Sequence, residues 1–290
     1  NGIVLGTPGS GKSFFAKKEI ANSFFATPDH ILILDVENEY TALVEQLQGQ
    51  VLYLAPDSQS YLNPMDLDLS TDVGESPMLM QADFLLSQCE LMMASYGNPL
   101  MPIEKSLIDR CISLVYRDYL KRPTPENMPI LGDLYQCLRA QDNHTADDLA
   151  TAMEIYVTGS LSYLNHRTNV DLNNRLVCYN TSKMGQGLKK LVMANVQKHI
   201  WQRTTINRYA GVTTRIFLDE FHMLLKEPQT AAYTAEIYKR FRKWNGIPTS
   251  LTQNVKDLLA SPEIENILEN SDFILMLNQG ASDRGILAQR

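Results

Sequence analysis

Eight residues near the start of the chain have the types and spacing of a phosphate-binding loop. The segment Gly6–Ser13 reads GTPGSGKS and satisfies the Walker A pattern GxxxxGK[ST] in full. In that pattern the glycines let successive backbone N–H groups surround a phosphate, the lysine reaches the β- and γ-phosphates, and the last hydroxyl binds Mg²⁺. The sequence therefore predicts that ATP and Mg²⁺ bind here, with Lys12 on the phosphates and Ser13 on the metal.

A second, acidic motif supplies groups that the loop lacks. Asp219 and Glu220 follow the largely apolar run that begins at Arg215. Mg²⁺ needs a carboxylate at the end of a neighbouring strand, which we assign to Asp219, and hydrolysis needs a base for water, which we assign to Glu220. A glutamate next to the aspartate favours a motor-type ATPase over a small nucleotide kinase. The predicted nucleotide-binding residues are Gly6, Thr7, Pro8, Gly9, Ser10, Gly11, Lys12, Ser13, Phe14 and Asp219, of which Ser13 and Asp219 bind the metal.

Three further residues are candidates for the site, and each has a structural alternative. Gln253 ends an apolar segment. It either contacts the γ-phosphate or the attacking water, or it caps the next helix. The resemblance described below favours the contact with the γ-phosphate or the water. Arg242 lies with Arg240 and Lys243 on a predicted helix, and this basic cluster either supplies an arginine across a subunit boundary or is a solvated helix face. Glu37 either approaches the nucleotide or has a capping role. The predicted catalytic residues are Glu220, Gln253 and Arg242.

These residues must be positioned by strands that end at one edge of a sheet. Short, continuous apolar runs precede them, as is typical of strands buried on both faces of a parallel sheet. A helix is predicted over Ser13–Phe25, so the loop joins a strand to a helix as its mechanism requires. The alternation of strands and helices predicts an α/β fold with a mainly parallel central sheet. The predicted strands are Gly2–Leu5, His30–Asp35, Val51–Leu54, Arg175–Tyr179, Arg215–Asp219, Thr249–Gln253 and Phe273–Leu277.

The middle of the chain has a different pattern. From about residue 63 to residue 163, apolar residues recur at spacings of three and four, as in Leu107, Cys111 and Leu114. Proline clusters at 97–102 and 123–129 are expected to end helices. We therefore predict an inserted, all-helical subdomain over 63–163, and an α/β ATPase domain formed by 1–62 and 164–290.

The composition narrows the classes of protein that fit. A chain of 290 residues with 44% hydrophobic residues can bury a large core. Its formal net charge of −7 argues against a surface that is basic throughout and binds nucleic acid everywhere, although a local basic loop is compatible with it. The four cysteines and five histidines are scattered without ligand spacing, so neither a zinc site nor a disulfide framework is predicted. No apolar run approaches the roughly 18 residues of a membrane-spanning helix.

Motifs spread over the chain resemble a known family. They are Asp35–Tyr40 (DVENEY), Leu62–Pro64 (LNP), Arg175–Asn180 (RLVCYN), Phe217–His222 (FLDEFH), Arg242 and Lys243 followed by Gly246, and Gln253 with Asn254. Together with the Walker A loop, they resemble the VirB-four (TraC/TrbE) ATPases of type IV secretion and conjugation, within the HerA/FtsK group of hexameric motors.

The resemblance implies a RecA-like P-loop NTPase domain that carries a helical insertion. It also implies a separate N-terminal domain that docks on a membrane channel and further helices after residue 290, so the chain is expected to be a C-terminal motor-domain fragment. Expected partners are further copies in a hexamer, secretion-system components at the inner face of the cytoplasmic membrane, and DNA. The expected location is cytoplasmic, with peripheral attachment to the membrane. The resemblance assigns binding and catalysis to Lys12, Ser13, Asp219, Glu220, Gln253 and Arg242.

Three functions fit these observations. The first is an ATPase that energises channel or pilus assembly and the transfer of DNA or protein. The second is a HerA- or FtsK-like pump for double-stranded DNA, which DNA would stimulate with a steep dependence on salt. The third is a nucleotide-gated assembly scaffold with little turnover, for which loss of Lys12 would prevent assembly whereas loss of the Glu220 carboxylate would not.

Overall fold

The computed structural model of the chain describes residues 1–69, 76–93, 99–253, 255–260, 262–280 and 284–285, with the side chains of 229, 256, 257 and 260 excepted. Asn254 and part of the predicted helix break at 97–102 lie outside the described residues. The chain divides into two compact units. The first comprises residues 1–53, 171–183 and 196–290, and the second comprises 54–170 and 184–195.

The first unit is built on a seven-stranded sheet. Its strand order is β3-β4-β2-β5-β6-β1-β7, and every pairing is parallel. This result confirms the predicted α/β fold of the P-loop NTPase type, and each predicted strand is present. The strands are β1 (Gly2–Leu5), β2 (His30–Asp35), β3 (Gln50–Tyr53), β4 (Leu176–Asn180), β5 (Thr214–Leu218), β6 (Gly246–Thr252) and β7 (Phe273–Met276).

The five inner strands of the sheet have largely apolar sequences because both of their faces are covered, whereas the edge strands β3 and β7 are partly exposed. Every residue of β1 and β4 is buried, and only the first residue of β2 is partly exposed. Burying one such valine, leucine or isoleucine contributes on the order of 1.5–3 kcal/mol. A pattern that alternated apolar and polar residues would leave one face polar and could not be covered on both sides.

Helix α1 (Lys12–Ala26) begins directly after the glycine-rich loop. Its buried residues recur at spacings of three and four, and two of them, Ala16 and Ile20, belong to the core cluster that also contains Val4 of β1. This packing fixes the start of the helix close to the end of β1. The other helices of this unit are α2 (Thr41–Gln46), the part of α7 (Gln186–Tyr209) from residue 196 onwards, α8 (Pro228–Phe241), α9 (Val255–Ala260) and α10 (Ile264–Glu269).

The parallel register brings four chain segments to one edge of the sheet. Leu5 is paired with Thr252 and Leu218 with Ser250, so the loop after β1, Gln253 after β6 and Asp219 after β5 leave the sheet together. Asp35 ends β2 on the other side of β5. The carboxyl edge of the sheet therefore collects the predicted phosphate loop and the predicted acidic motif.

The second unit is helical in its described residues. Its helices are α3 (Pro77–Met93), α4 (Pro102–Lys121), α5 (Leu131–Arg139), α6 (His144–Val157) and the beginning of α7, with short 3-10 helices at Pro125–Asn127 and Ser162–Leu164. The proline cluster at 123–129 separates α4 from α5, as predicted. The compact helical unit comprises residues 54–170 and also includes residues 184–195, which contain the beginning of α7. The sequence-based limits at 62/63 and 163/164 stay a prediction.

Among the described residues, no helix combines the length and the apolar character that crossing a membrane requires.

A buried histidine in α7 makes stability depend on pH. Burial, together with the charge of Lys198, lowers the pKa of His199 from 6.5 to about 3. Between these two values the unfolded chain binds a proton that the folded chain does not, so the free energy of unfolding must fall as the pH falls. For this one group the loss from pH 7 to pH 5 is about 2 kcal/mol.

We expect His199→Gln to remove that share of the pH dependence, because glutamine does not titrate. The free energy of unfolding, measured by urea denaturation at pH 7 and pH 5, should change less with pH in His199→Gln than in the unmodified chain. The control is His144→Gln, since the His144 side chain is 91% exposed. If the free energy of unfolding changes equally between pH 7 and pH 5 in His199→Gln and in the unmodified chain, His199 is not a neutral, buried histidine.

Candidate nucleotide-binding site

The loop after β1 has a backbone conformation that depends on glycine at two positions. Gly9 has φ 74° and Gly11 has φ 96°, both in the left-handed region that other residues rarely adopt. Gly11 directly precedes α1, and its carbonyl accepts a hydrogen bond from Phe15 N at 2.9 Å. The loop therefore turns into the N-terminus of a helix, where backbone N–H groups and the helix dipole favour an anion.

Gly6 is required for space rather than for its φ angle. A Cβ atom at this position would lie 2.3 Å from Ser10 Oγ and 3.0 Å from Leu277 Cβ, and both distances are shorter than ordinary contacts. Ser10 Oγ is itself buried and has no hydrogen-bond partner among the described residues. The loop therefore encloses Ser10 Oγ, a polar atom that makes no hydrogen bond with the described residues.

Lys12 is the first residue of α1, and its side chain turns back over the loop. The residue is only 8% exposed, and its Nζ donates hydrogen bonds to Gly6 O at 2.8 Å and to Thr7 O at 3.4 Å. A buried ammonium is stable only where acceptors compensate for lost water. Phosphate oxygens at the loop can replace these carbonyls, since they are stronger acceptors for the same three N–H groups.

Asp219 directly follows β5. Its backbone N donates to Leu34 O at 3.1 Å, which continues the pairing of β5 with β2 beyond the strand itself. Burial, followed by the charges of Glu220, Glu39 and Asp35, raises the pKa of Asp219 to about 8. This rise in pKa comes first from burial and then from the neighbouring carboxylates, and a divalent cation bound here would stabilise the ionised form.

Glu220 has an unusual backbone conformation that directs its side chain. Its φ of 45° and ψ of 42° are left-handed, which is uncommon for a residue with a Cβ and is one kind of backbone strain that clusters at functional sites. His222 Nδ1 lies 3.0 Å from Glu220 Oε2 and 3.0 Å from Thr252 Oγ1. Only the hydroxyl meets the angular requirement of a hydrogen bond, so Glu220 Oε2 is buried without a hydrogen-bond partner among the described residues.

The segment after β2 contributes two more carboxylates. Asp35 caps the turn, since its two carboxylate oxygens accept hydrogen bonds from Glu39 N and Tyr40 N, each at 3.0 Å. The backbone capping role in this segment thus belongs to Asp35, and Glu37 and Glu39 face the cavity. Asn180 of β4 holds the same segment by donating to Asn38 Oδ1 at 2.6 Å.

One cavity of about 290 Å³ joins these groups. Its described lining residues are Pro8, Gly9, Gly11, Lys12, Ser13, Phe14, Glu37, Glu39, Asp219, Glu220 and Gln253. The structure therefore brings together most of the predicted site residues. Gly6, Thr7 and Ser10 belong to the same loop, although they do not line the cavity. Thr7 is fixed to the segment after β7, because its N and Oγ1 donate to Asn278 O at 2.9 and 3.0 Å.

Arg242 is not brought to this cavity within one chain. It follows α8, its side chain is 63% exposed, and its Nη2 lies 3.7 Å from Oδ1 of Asp272, the residue before β7. Because all the strands are parallel, residues that precede β6 and β7 lie at the amino edge of the sheet, opposite the phosphate loop. An action of Arg242 on this chain's own nucleotide is therefore excluded by its position.

Sequence reasoning missed three residues of the site. Glu39 lines the cavity, His222 lies beside Glu220, and Asn180 holds the segment that carries the two glutamates. The spacing Glu220-x-His222 and the second acid in Asp35–Tyr40 were the available signals. Both depend on how a turn folds, which a strand pattern does not specify.

The donor set fits a nucleotide with Mg²⁺. Mg²⁺ prefers oxygen ligands and is usually held by one or two carboxylates, waters and phosphate oxygens. Ser13, with a hydroxyl, and Asp219, with a carboxylate, both line the cavity and offer such ligands. Among the described residues, no three His, Cys, Asp or Glu side chains cluster as at a zinc centre. The cavity thus suits a metal that arrives with phosphate oxygens.

Comparisons with known proteins agree with this geometry. Two family models each match slightly more than half of the chain: the TraG P-loop domain over residues 130–283, and the central domain of the helicase HerA over residues 3–157. A search of the curated proteins gave no match.

Among solved structures, the chain is similar to VirB4 of Thermoanaerobacter pseudethanolicus. The identity is 25% and the TM-score 0.86, over 100% of this chain and 80% of that one. The plasmid coupling protein TrwB has the same fold at 12% identity. Its complex with ADP and Mg²⁺ matches with a TM-score of 0.63 over 98% of this chain and 71% of TrwB, and its complex with the ATP analogue ADPNP with 0.64 over 100% and 73%.

The contacts around Gly6 lead to a test of the loop. We expect Gly6→Ala to weaken the binding of Mg²⁺ with a non-hydrolysable ATP analogue at least tenfold, because the new methyl group must displace Ser10 or Leu277. The cost in stability should be about 1–3 kcal/mol, as for other overpacked sites. Isothermal titration calorimetry and urea denaturation measure the two effects.

The matched control is Gly185→Ala, since a Cβ at Gly185 meets nothing within 4 Å. It should leave both binding and stability nearly unchanged. If Gly6→Ala binds the analogue as tightly as the unmodified chain, the loop does not hold the phosphates.

Proposed function

The chain belongs to the group of P-loop ATPases defined by the TraG P-loop domain and the HerA central domain, and we propose that it is the Mg²⁺-dependent, ATP-hydrolysing motor of a type IV secretion or conjugation system. The observation that carries this proposal is the placement of Lys12 and Glu220 on the wall of one cavity, with Gln253 directly after β6, the strand between β5 and β1. Phosphate binding and water activation then occur at the same place.

Binding begins with the loop and Lys12. The backbone N–H groups of the loop and the N-terminus of α1 hold the β-phosphate, and the Lys12 ammonium moves from Gly6 O to the β- and γ-phosphate oxygens. Ser13 and Asp219 would hold Mg²⁺, which neutralises charge on the same oxygens when it is bound. The raised pKa of Asp219 is consistent with a site built for a cation.

Hydrolysis requires a base on the water side of the γ-phosphate. Glu220 accepts a proton from water while the water oxygen forms a bond to the γ-phosphorus and the bond to the ADP oxygen breaks, which yields ADP and phosphate. Its buried Oε2 lies beside the His222 ring and makes no hydrogen bond among the described residues, so it can accept one from the water. Gln253 holds that water or contacts the γ-phosphate.

We assign Arg242 to the nucleotide of a neighbouring copy. Its exposed guanidinium on the amino edge of the sheet can reach outwards, and its 3.7 Å contact with Asp272 is too long to hold it firmly. In a ring, one subunit would then supply positive charge to the transition state in the next.

The similarity to VirB4 supports the cellular role that we propose. ATP hydrolysis by this chain would energise channel or pilus assembly and substrate transfer, at the cytoplasmic side of a membrane and together with other secretion components. A double-stranded DNA translocase is the second candidate, which the HerA match over residues 3–157 favours. The two differ in whether duplex DNA accelerates hydrolysis in a salt-dependent manner.

Replacing the base should separate binding from turnover. We expect Glu220→Gln to lower the rate of ATP hydrolysis by about 10²- to 10⁴-fold, because the amide cannot accept the proton of water. The affinity for Mg²⁺ with the non-hydrolysable analogue should stay within about threefold, which corresponds to less than 1 kcal/mol.

A suitable control is Glu236→Gln on α8, where the carboxylate pairs with Arg240 at 2.8 Å and does not line the cavity. Its rate should equal that of the unmodified chain. Full hydrolysis by Glu220→Gln would remove Glu220 from the role of base.

A further inference from the structure

An exposed aromatic ring at the cavity is not used by the phosphate chemistry. Phe14 lies in the first turn of α1, is 75% exposed, and is the one aromatic residue among the described lining residues. Single exposed apolar side chains are common on protein surfaces, and what distinguishes Phe14 is its position on the wall of the cavity beside the phosphate loop. Phe25 offers a comparison, since it lies on the same helix with 77% exposure but does not line the cavity.

The order of groups around the cavity fixes the direction of a bound nucleotide. Asp219, Glu220 and Gln253 end β5 and β6, so the γ-phosphate must face them if they are to act on water and metal. Lys12 reaches the β- and γ-phosphates from the loop. The α-phosphate and the nucleoside therefore leave at the other end of the phosphate chain, over the first turn of α1, where Phe14 lies.

The loop side of this exit has few groups that could distinguish one base from another. Pro8, Gly9 and Gly11 have no polar side-chain atoms, and the Thr7 hydroxyl already donates to Asn278 O at 3.0 Å. The polar lining residues other than Lys12 and Ser13 do not belong to the loop or to α1 but follow β2, β5 and β6. The loop therefore offers no side-chain hydrogen bonds to the edge of the base, whereas Phe14 offers an aromatic face to it.

We propose that Phe14 stacks on the base of the bound nucleotide and that the site accepts adenine and guanine nucleotides almost equally. Stacking on an aromatic side chain does not discriminate among bases, because every base has a π face. The inference rests on the proposed nucleotide binding and adds the class of substrate: purine nucleoside triphosphates, selected by their phosphates rather than by the identity of the base.

Calorimetry with ligands that contain or lack a base tests this proposal. The ligands are the β,γ-imido analogues of ATP and GTP and inorganic tripolyphosphate, each with Mg²⁺. In Phe14→Ala both nucleotides should bind roughly 5- to 150-fold more weakly, the range that loss of one base–aromatic stack produces. Tripolyphosphate should bind unchanged. Phe14→Trp should retain nucleotide binding, and Phe25→Ala should behave as the unmodified chain.

The outcomes separate this inference from the proposed function. Equal affinity of Phe14→Ala and the unmodified chain for the nucleotides would overturn the stacking role, as would an equal loss for tripolyphosphate, which would indicate a role of Phe14 in the loop itself. A preference of the unmodified chain for one purine above about tenfold would overturn base tolerance. If neither nucleotide nor tripolyphosphate binds the unmodified chain, or if Lys12→Ala leaves their binding unchanged, the nucleotide site itself is wrong.

Discussion

The parallel pairing of β1, β6 and β5 is the constraint on which the rest of the site depends. The segments that follow three neighbouring parallel strands must leave the sheet at the same edge. The pairing of Leu5 with Thr252 and of Leu218 with Ser250 sets the relative positions of these segments. The phosphate loop, Gln253 and the acidic pair are thus brought together by strand register and not by contacts among themselves. The same parallel arrangement places Arg242 at the other edge.

This arrangement brings like charges close together. Four carboxylates, those of Glu37, Glu39, Asp219 and Glu220, share one cavity with the ammonium of Lys12. Burial and this crowding raise the pKa of Asp219 to about 8 and also raise the pKa of the buried Tyr40 hydroxyl. A fold selected only for stability would avoid such a cluster, whereas a site that receives a metal and four phosphate charges requires compensating groups of both signs.

Much of the fold and most of the residues that line the site follow from the sequence, for identifiable reasons. The bounds of β1 and β2 agree with prediction because continuous apolar runs ended by glycine or aspartate leave little choice of strand ends. Lys12, Asp219 and Glu220 were predicted because their roles depend on position relative to a strand. Glu39 and Asn180 were not, because their roles depend on the turn capped by Asp35. The role of Arg242 depends on a second copy, which the pattern of one chain does not describe.

The central claim is that Lys12 exchanges the carbonyl of Gly6 for the phosphates of ATP in the cavity that Glu220 and Gln253 line. A structure of the chain with Mg²⁺ and the β,γ-imido analogue of ATP tests it most directly. We expect Lys12 Nζ within hydrogen-bond distance of a γ-phosphate oxygen, with the metal between the Ser13 hydroxyl and Asp219. An analogue bound elsewhere, with Lys12 Nζ still 2.8 Å from Gly6 O, would contradict the account.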